Sequence, residues 1–177
     1  MANEGETVEL WANNGQLADR VQYRLGFPWP TFGDIPGPSI QLINPGHDND
    51  LGGNWRSTLP TPGVANSVLV ENGAPQMRQV MHSPEQPKAN EVVTISTRIT
   101  DPEGVASVTL EYQLVEPGDY IRQKDPRYAT DWGKLTMQDN GQGGDAAALD
   151  GVYTVQMPAE LQTHRRLVRY RITAVDA

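Results

Sequence analysis

Cysteine is absent from all 177 residues, which excludes disulfides and thiolate metal sites together. No run reaches the ~18 apolar residues that a membrane-crossing helix needs. The opening "MANEGETVEL" has neither a basic leader nor an apolar stretch behind it, so it does not read as a signal peptide. Histidine is scarce. His47, His82 and His164 stand far apart, with no H-x-x-x-H or H-x-H spacing to predict a zinc site. His47, in "PGHDND", reads as a loop histidine in water. No G-x-S-x-G is present, and no serine neighbours a histidine in a triad-like pattern. Neither G-x-x-x-x-G-K-[ST] nor a helix-opening G-x-G-x-x-G occurs, so nucleotide binding has no support. Basic residues are outnumbered, 14 Lys and Arg against 22 Asp and Glu, for a net charge of −8. Such a surface repels phosphate backbones and disfavours nucleic acid as a partner. The small basic groups around Lys134 and at Arg165–Arg166 read as solvated strand ends.

What is present is turn chemistry and alternation. There are 17 Gly and 14 Pro, and apolar residues recur with period 2 rather than 3.6. "VTISTRI" places Val93, Ile95 and Ile99 on one face and Thr94, Ser96 and Arg98 on the other. "VTLEYQL" turns Val108, Leu110, Tyr112 and Leu114 inward, and Thr109, Glu111 and Gln113 outward. "YTVQM" buries Tyr153, Val155 and Met157. "VRYRITA" buries Val168, Tyr170, Ile172 and Ala174, leaving Arg169 and Arg171 in water. Runs of this kind, bounded by Gly, Pro, Asp and Asn, predict half-buried antiparallel strands in a β-sandwich. No segment predicts a helix.

The chain divides by this pattern into 1–67, a connection over 68–80, and an immunoglobulin-like sandwich over 81–177. "DPEGV" joins the first two strands of the sandwich as a β-turn. Residues 116–133 read as a polar, mobile loop. The first segment holds three short strand candidates, "ETVELW", "DRVQYRL" and "SIQLIN". Two Gly/Pro-rich loops accompany them, "GFPWPTFGDIPGP" and "NPGHDNDLGGNWRSTLPTPGVAN". Three short strands bury too little to stand alone. They are expected to lean on the second domain or to expose an edge that pairs between chains.

The ordered set "LADRVQY", "GPSIQLINP", "NWR" and "TPGVAN" resembles the C-terminal half of a bacterial lamin-tail domain, over about residues 6 to 67. "VTISTRITDPEGVASVTLEY", "MQDNGQGGDAAALDGVYTVQMPA" and "VRYRITAVDA" are similar to the immunoglobulin-like module that follows such a domain. That order of modules resembles the non-kinase part of bacterial surface proteins carrying a CotH-type (spore-coat H-like) kinase. The resemblance implies an extracellular or cell-surface location and a larger parent protein whose other domains are this chain's partners. The kinase would begin beyond Ala177 and the missing lamin-tail strands would precede Met1. In the same frame, Trp55 fills a sandwich edge, Arg56 reaches carbonyls or a carboxylate, and Pro62–Gly63 reverses the chain.

The stretch "DNGQGGDAAALDGVY", 139–153, supports two readings. Calcium takes six to eight oxygens, and Asp139, Asp145 and Asp150 are the candidate ligands. "HDND" at 47–50 is a second source of oxygens. Counted as an EF-hand from Asp139, the loop places Gly144 and Asp150 at positions six and twelve. Positions three and five, however, are Gly141 and Gly143, which carry no side-chain oxygen, and no helix flanks the loop. Turn chemistry accounts for every residue without a metal, since Asp and Asn accept from nearby backbone N–H groups and Gly permits positive φ. The leading expectation is therefore a non-catalytic module without a cofactor that spaces, presents or docks a neighbouring domain. The alternative is a surface module that binds a carbohydrate or a protein, with calcium assistance, through Trp29 in "FPWPTFG" and Trp132 in "ATDWGKL".

Overall fold

The computed structural model describes residues 5–30 and 37–177. The part of the first Gly/Pro-rich loop that spans 31–36 lies outside them. The described chain is almost entirely strand and turn, and every strand pairing is antiparallel. It forms two compact units, divided between Gly73 and Ala74.

The first unit begins with a hairpin of β1 (Glu6–Trp11) and β2 (Leu17–Tyr23). Gly15, at φ 80°, turns the chain where an L side chain would be strained. A second pair joins β3 (Ser39–Leu42) to β4 (Trp55–Thr58) through a 3₁₀ turn at Gly52–Asn54. The interior is small and partly polar: Trp29, Gln41, Ile43, His47 and Asn54 are buried. Trp29 stacks on Trp55 with ring centroids 6.0 Å apart. Gly52 is required there, because a Cβ would come within 2.7 Å of the Trp29 ring. Side-chain amides tie the unit's loops to β3 and to the chain that follows. Gln41 Nε2 donates to Leu59 O at 2.9 Å and to Thr61 Oγ1 at 3.2 Å, while its Oε1 accepts from Ser67 N. Asn44 Nδ2 donates to the carbonyls of Val70 and Glu71. Val70 N donates to Ile43 O at 2.8 Å.

These bonds assign residues 68–73 to the first unit, and the expected connection over 68–80 is split. Its last residues, from Gln76, already belong to β5. The hairpin of β1 and β2 is exposed along nearly its whole length, with Val8, Leu10, Trp11 and Leu17 all outward.

The second unit contains β5 (Gln76–Ser83), β6 (Val93–Thr100), β7 (Val105–Val115), a single helical turn α1 (Arg127–Thr130), β8 (Gly133–Met137), β9 (Val152–Met157) and β10 (Leu167–Asp176). Two three-stranded sheets, β5-β6-β9 and β10-β7-β8, face one another as a sandwich. Val93, Ile95, Ile99, Val108, Leu110, Met137 and Met157 fill the space between them. These are the inward positions of the alternating runs, so period 2 and burial agree. β5 carries a bulge between Arg78 and Met81, with Gln79 at φ 53°.

The outer face of the β10-β7-β8 sheet departs from expectation. Gln113 points away from the sandwich core, as its place in the alternation requires, yet it is 1 % exposed. Residues 116–132 fold over it, and its Nε2 donates to Arg127 O at 2.8 Å. Ile121, from the same cover, is also buried. Arg169 and Arg171 are not simply in water. Arg169 lies 5.5 Å from the Tyr120 ring and 5.6 Å from that of Tyr128, and it donates to Ile121 O. Arg171 lies 4.3 Å over Trp132 and pairs with Glu111. Guanidinium planes between aromatic rings give a polar sheet face something to pack against. The 116–133 stretch is thus a packed cover rather than a free loop, held further by Arg127 on Asp119 and Asp125. Arg166 likewise is bonded to Glu116 and is only 18 % exposed.

Candidate functional site

Among the described residues, one group of three acids places a ligand atom from each member within reach of the others: Asp139, Asp145 and Asp150. They lie in the connection from β8 to β9, which carries the chain from one sheet to the other. Its two ends are fastened by a bridge between Gln138 and Thr154. Asp139 follows directly. Its Oδ1 accepts from Asp150 N at 3.2 Å and its Oδ2 from Gly151 N at 2.8 Å, closing the loop on itself. Asp145 Oδ2 accepts from Gly141 N at 2.7 Å, and Asp150 Oδ1 from Val152 N at 2.9 Å. Asn140 Oδ1 accepts from Gln142 N.

Four glycines in the loop, Gly141, Gly143, Gly144 and Gly151, have positive φ. Gly144 also lies against the sheet, where a Cβ would meet Thr94 and Gln156. At its far end the loop is tied to β6. Ile99 N donates to Gly151 O, and Arg98 Nη1 to Asp150 O.

Each aspartate therefore closes a turn, as the sequence leads one to expect, and the three also converge. Their nearest oxygens lie within 4.8 Å of one another. Asp145 is only 8 % exposed, and its Oδ1 is buried with no hydrogen-bond partner. A buried acceptor without a donor costs about 1–3 kcal/mol, more when charged. The loop's N–H groups face both oxygens of Asp139 and one each of Asp145 and Asp150, and leave this buried one unanswered. Tyr153, just beyond, has its phenol pKa pushed up by burial and then by the negative charge of Asp139.

The other candidates are engaged elsewhere. "HDND" is structural. Asp50 accepts from Gln22 N, Asn49 bonds Asp19, and Asp48 accepts from Asp50 N. His47 is not in water: it is 6 % exposed, faces Asn54 Oδ1 at 3.3 Å, and packs so closely that Gly73 has no room for a Cβ. Trp29 is buried. Trp132 is half-buried, donates Nε1 to Tyr128 O at 2.7 Å, and sits edge-on to Tyr128 and under Arg171. Trp55 Nε1 donates to Asn49 O, and Arg56 reaches the carbonyls of Gly53 and Trp55.

Two features had no signal in the sequence. One is the cover over Gln113. The other is an open groove of about 540 Å³ lined by residues that include His82, Lys88, Met157, Gln162 and Tyr170. Both depend on contacts between residues 14 to 88 positions apart. Comparison with protein-family models, curated proteins and solved structures finds no match.

Proposed function

We propose that this chain is a non-catalytic, extracytoplasmic β-sandwich module that presents or docks a neighbouring domain of a larger parent, of the kind in which a CotH-type kinase follows a lamin-tail domain. One observation about the second unit carries the reading. Gln76, opening β5, pairs with Thr100, and Asp176, closing β10, pairs with Val105. Thr100 and Val105 are joined by the short turn through Pro102–Gly104, and Ala177 N donates to Gly104 O. The strand that enters the sandwich and the strand that leaves it therefore reach the same pole. An in-line spacer delivers its ends at opposite poles, so this placement favours presenting or docking over spacing. Trp55 Nε1 and the Arg56 guanidinium both donate to carbonyls within the chain, as structural residues do. The binding alternative rested on Trp29 and Trp132, whose rings are occupied by intrachain contacts.

The test is an immunoblot of fractionated source cells with serum raised against the 177-residue chain. The expected result is a surface or culture-fluid polypeptide well above 19.5 kDa. A species of that mass alone, or one confined to the cytosol, overturns the proposal.

A further inference from the structure

We infer that Asp139, Asp145 and Asp150 form a calcium site. Two independent observations meet there. First, the nearest carboxylate oxygens of the three residues lie within 4.8 Å of one another. A calcium ion with oxygens at about 2.3–2.6 Å separates opposite ligands by about 4.6–5.2 Å, so spacings of this size belong to the ligand sphere of one ion. Second, Asp145 is more than nine-tenths buried and keeps one oxygen with no partner. Turn-making explains the other Asp145 oxygen and does not explain this one. Backbone N–H groups answer Asp139 on both oxygens, Asp145 on one and Asp150 on one. A cation is the partner that three facing carboxylates lack.

The donor set decides the metal class. Only oxygen is offered, with no imidazole or thiolate among the three, which selects a hard cation. Magnesium holds its ligands at about 2.0–2.1 Å in a strict octahedron and keeps its water. A glycine-rich turn loop supplying three carboxylates, with water and loop carbonyls completing the shell, suits the looser calcium geometry. Asp150 is exposed, so the ion has an open approach. The inference stands apart from the proposed function. It concerns how the second unit is held, and it survives whichever partner the module has.

The experiment is calorimetric titration of CaCl₂ into the full 177-residue chain after chelator treatment, repeated with MgCl₂. Saturable binding of one calcium per chain is expected, with Kd in the range of about 10⁻⁵ to 10⁻³ M and magnesium at least about tenfold weaker. Asp145→Asn and Asp150→Asn each weaken calcium by about tenfold or more. Glu103→Gln, a charge change on the turn at the same pole, leaves it unaltered. Asp150 is exposed and its Asn keeps an acceptor for Val152 N, so this variant carries the test even if Asp145→Asn fails to fold. Absence of saturable calcium binding up to roughly 5 mM, where even a weak extracellular site would fill, overturns the inference. So does equal affinity for magnesium, or an Asp150→Asn variant that binds as well as the parent.

Discussion

Three carboxylates held together make a specific demand on stability, and Asp150→Asn isolates it. At the outer limit of 4.8 Å, two unit charges repel by about 0.9 kcal/mol at the dielectric constant of water, and by about 3.5 kcal/mol at an effective value near 20. Asp150 is exposed, so the lower figure applies, and salt reduces it further. Neutralising Asp150 removes two such pairs, for a gain of about 1–2 kcal/mol. The loss is small, because the Asn Oδ1 still accepts from Val152 N, now at 2.9 Å from Asp150 Oδ1. In chelator the variant is therefore about 1 kcal/mol more stable than the parent. For a unit of this size that raises Tm by about 4–8 °C. Calcium at 100 times Kd adds about 2.7 kcal/mol to the parent but only about 1.4 kcal/mol to a variant that binds tenfold more weakly. The advantage seen in chelator then disappears. Thermal melts followed by circular dichroism, at low ionic strength with EDTA and then with calcium, read both numbers. A variant that melts below the parent in EDTA refutes the electrostatic argument.

Other expectations follow from packing and from the charged sheet face. Leu110 is fully buried between the sheets, so Leu110→Ala lowers unfolding free energy in urea by about 3–5 kcal/mol. Gly133 lies against the Tyr112 ring with no space for a Cβ. Gly133→Ala therefore costs about 1–3 kcal/mol by overpacking, while Gly143→Ala, which meets no neighbour, pays only for its positive φ. Arg171 first, and then Lys134, hold the Glu111 carboxyl below the usual carboxylate range by hydrogen bonding. Arg127 does the same to Asp119 and Asp125. A folded-state pKa below the unfolded one gives stability that is complete above the ordinary carboxylate pKa and is lost as pH falls through the folded value. The urea midpoint is thus expected to decline between about pH 5 and 3, and Arg171→Met to make that decline shallower. An unchanged slope in Arg171→Met contradicts the assignment.

Alternation made most of the sandwich legible. β6 carries an uninterrupted period of two, and β7, β9 and β10 carry enough of one to be read, because each turns one face to the opposite sheet. β5 was obscured by its bulge: with Gln79 at φ 53° the two faces exchange partway along the strand, so no single phase fits it. β4 is four residues long, too short to show a period. Gln113 obeyed the pattern and still misled. Alternation says which side of a sheet a residue occupies, not whether another segment covers that side. The aspartates of the β8–β9 loop were legible as turn residues one at a time. Their convergence was not, since it is set by how positive-φ glycines fold the loop back on Asp139.

The common pole of the second unit has a mechanical consequence. The acidic loop shares it, because β8 ends opposite Val108 and β9 begins opposite Arg98. Tension applied between Gln76 and Asp176 meets the ladder rungs one at a time, starting at Thr100 and Val105, as a zipper is opened. It does not load them all in parallel, as a shear would. The first rungs to part adjoin Ile99 and its bond to Gly151 O, so an ion fixed in that loop would stand beside the point where unravelling starts.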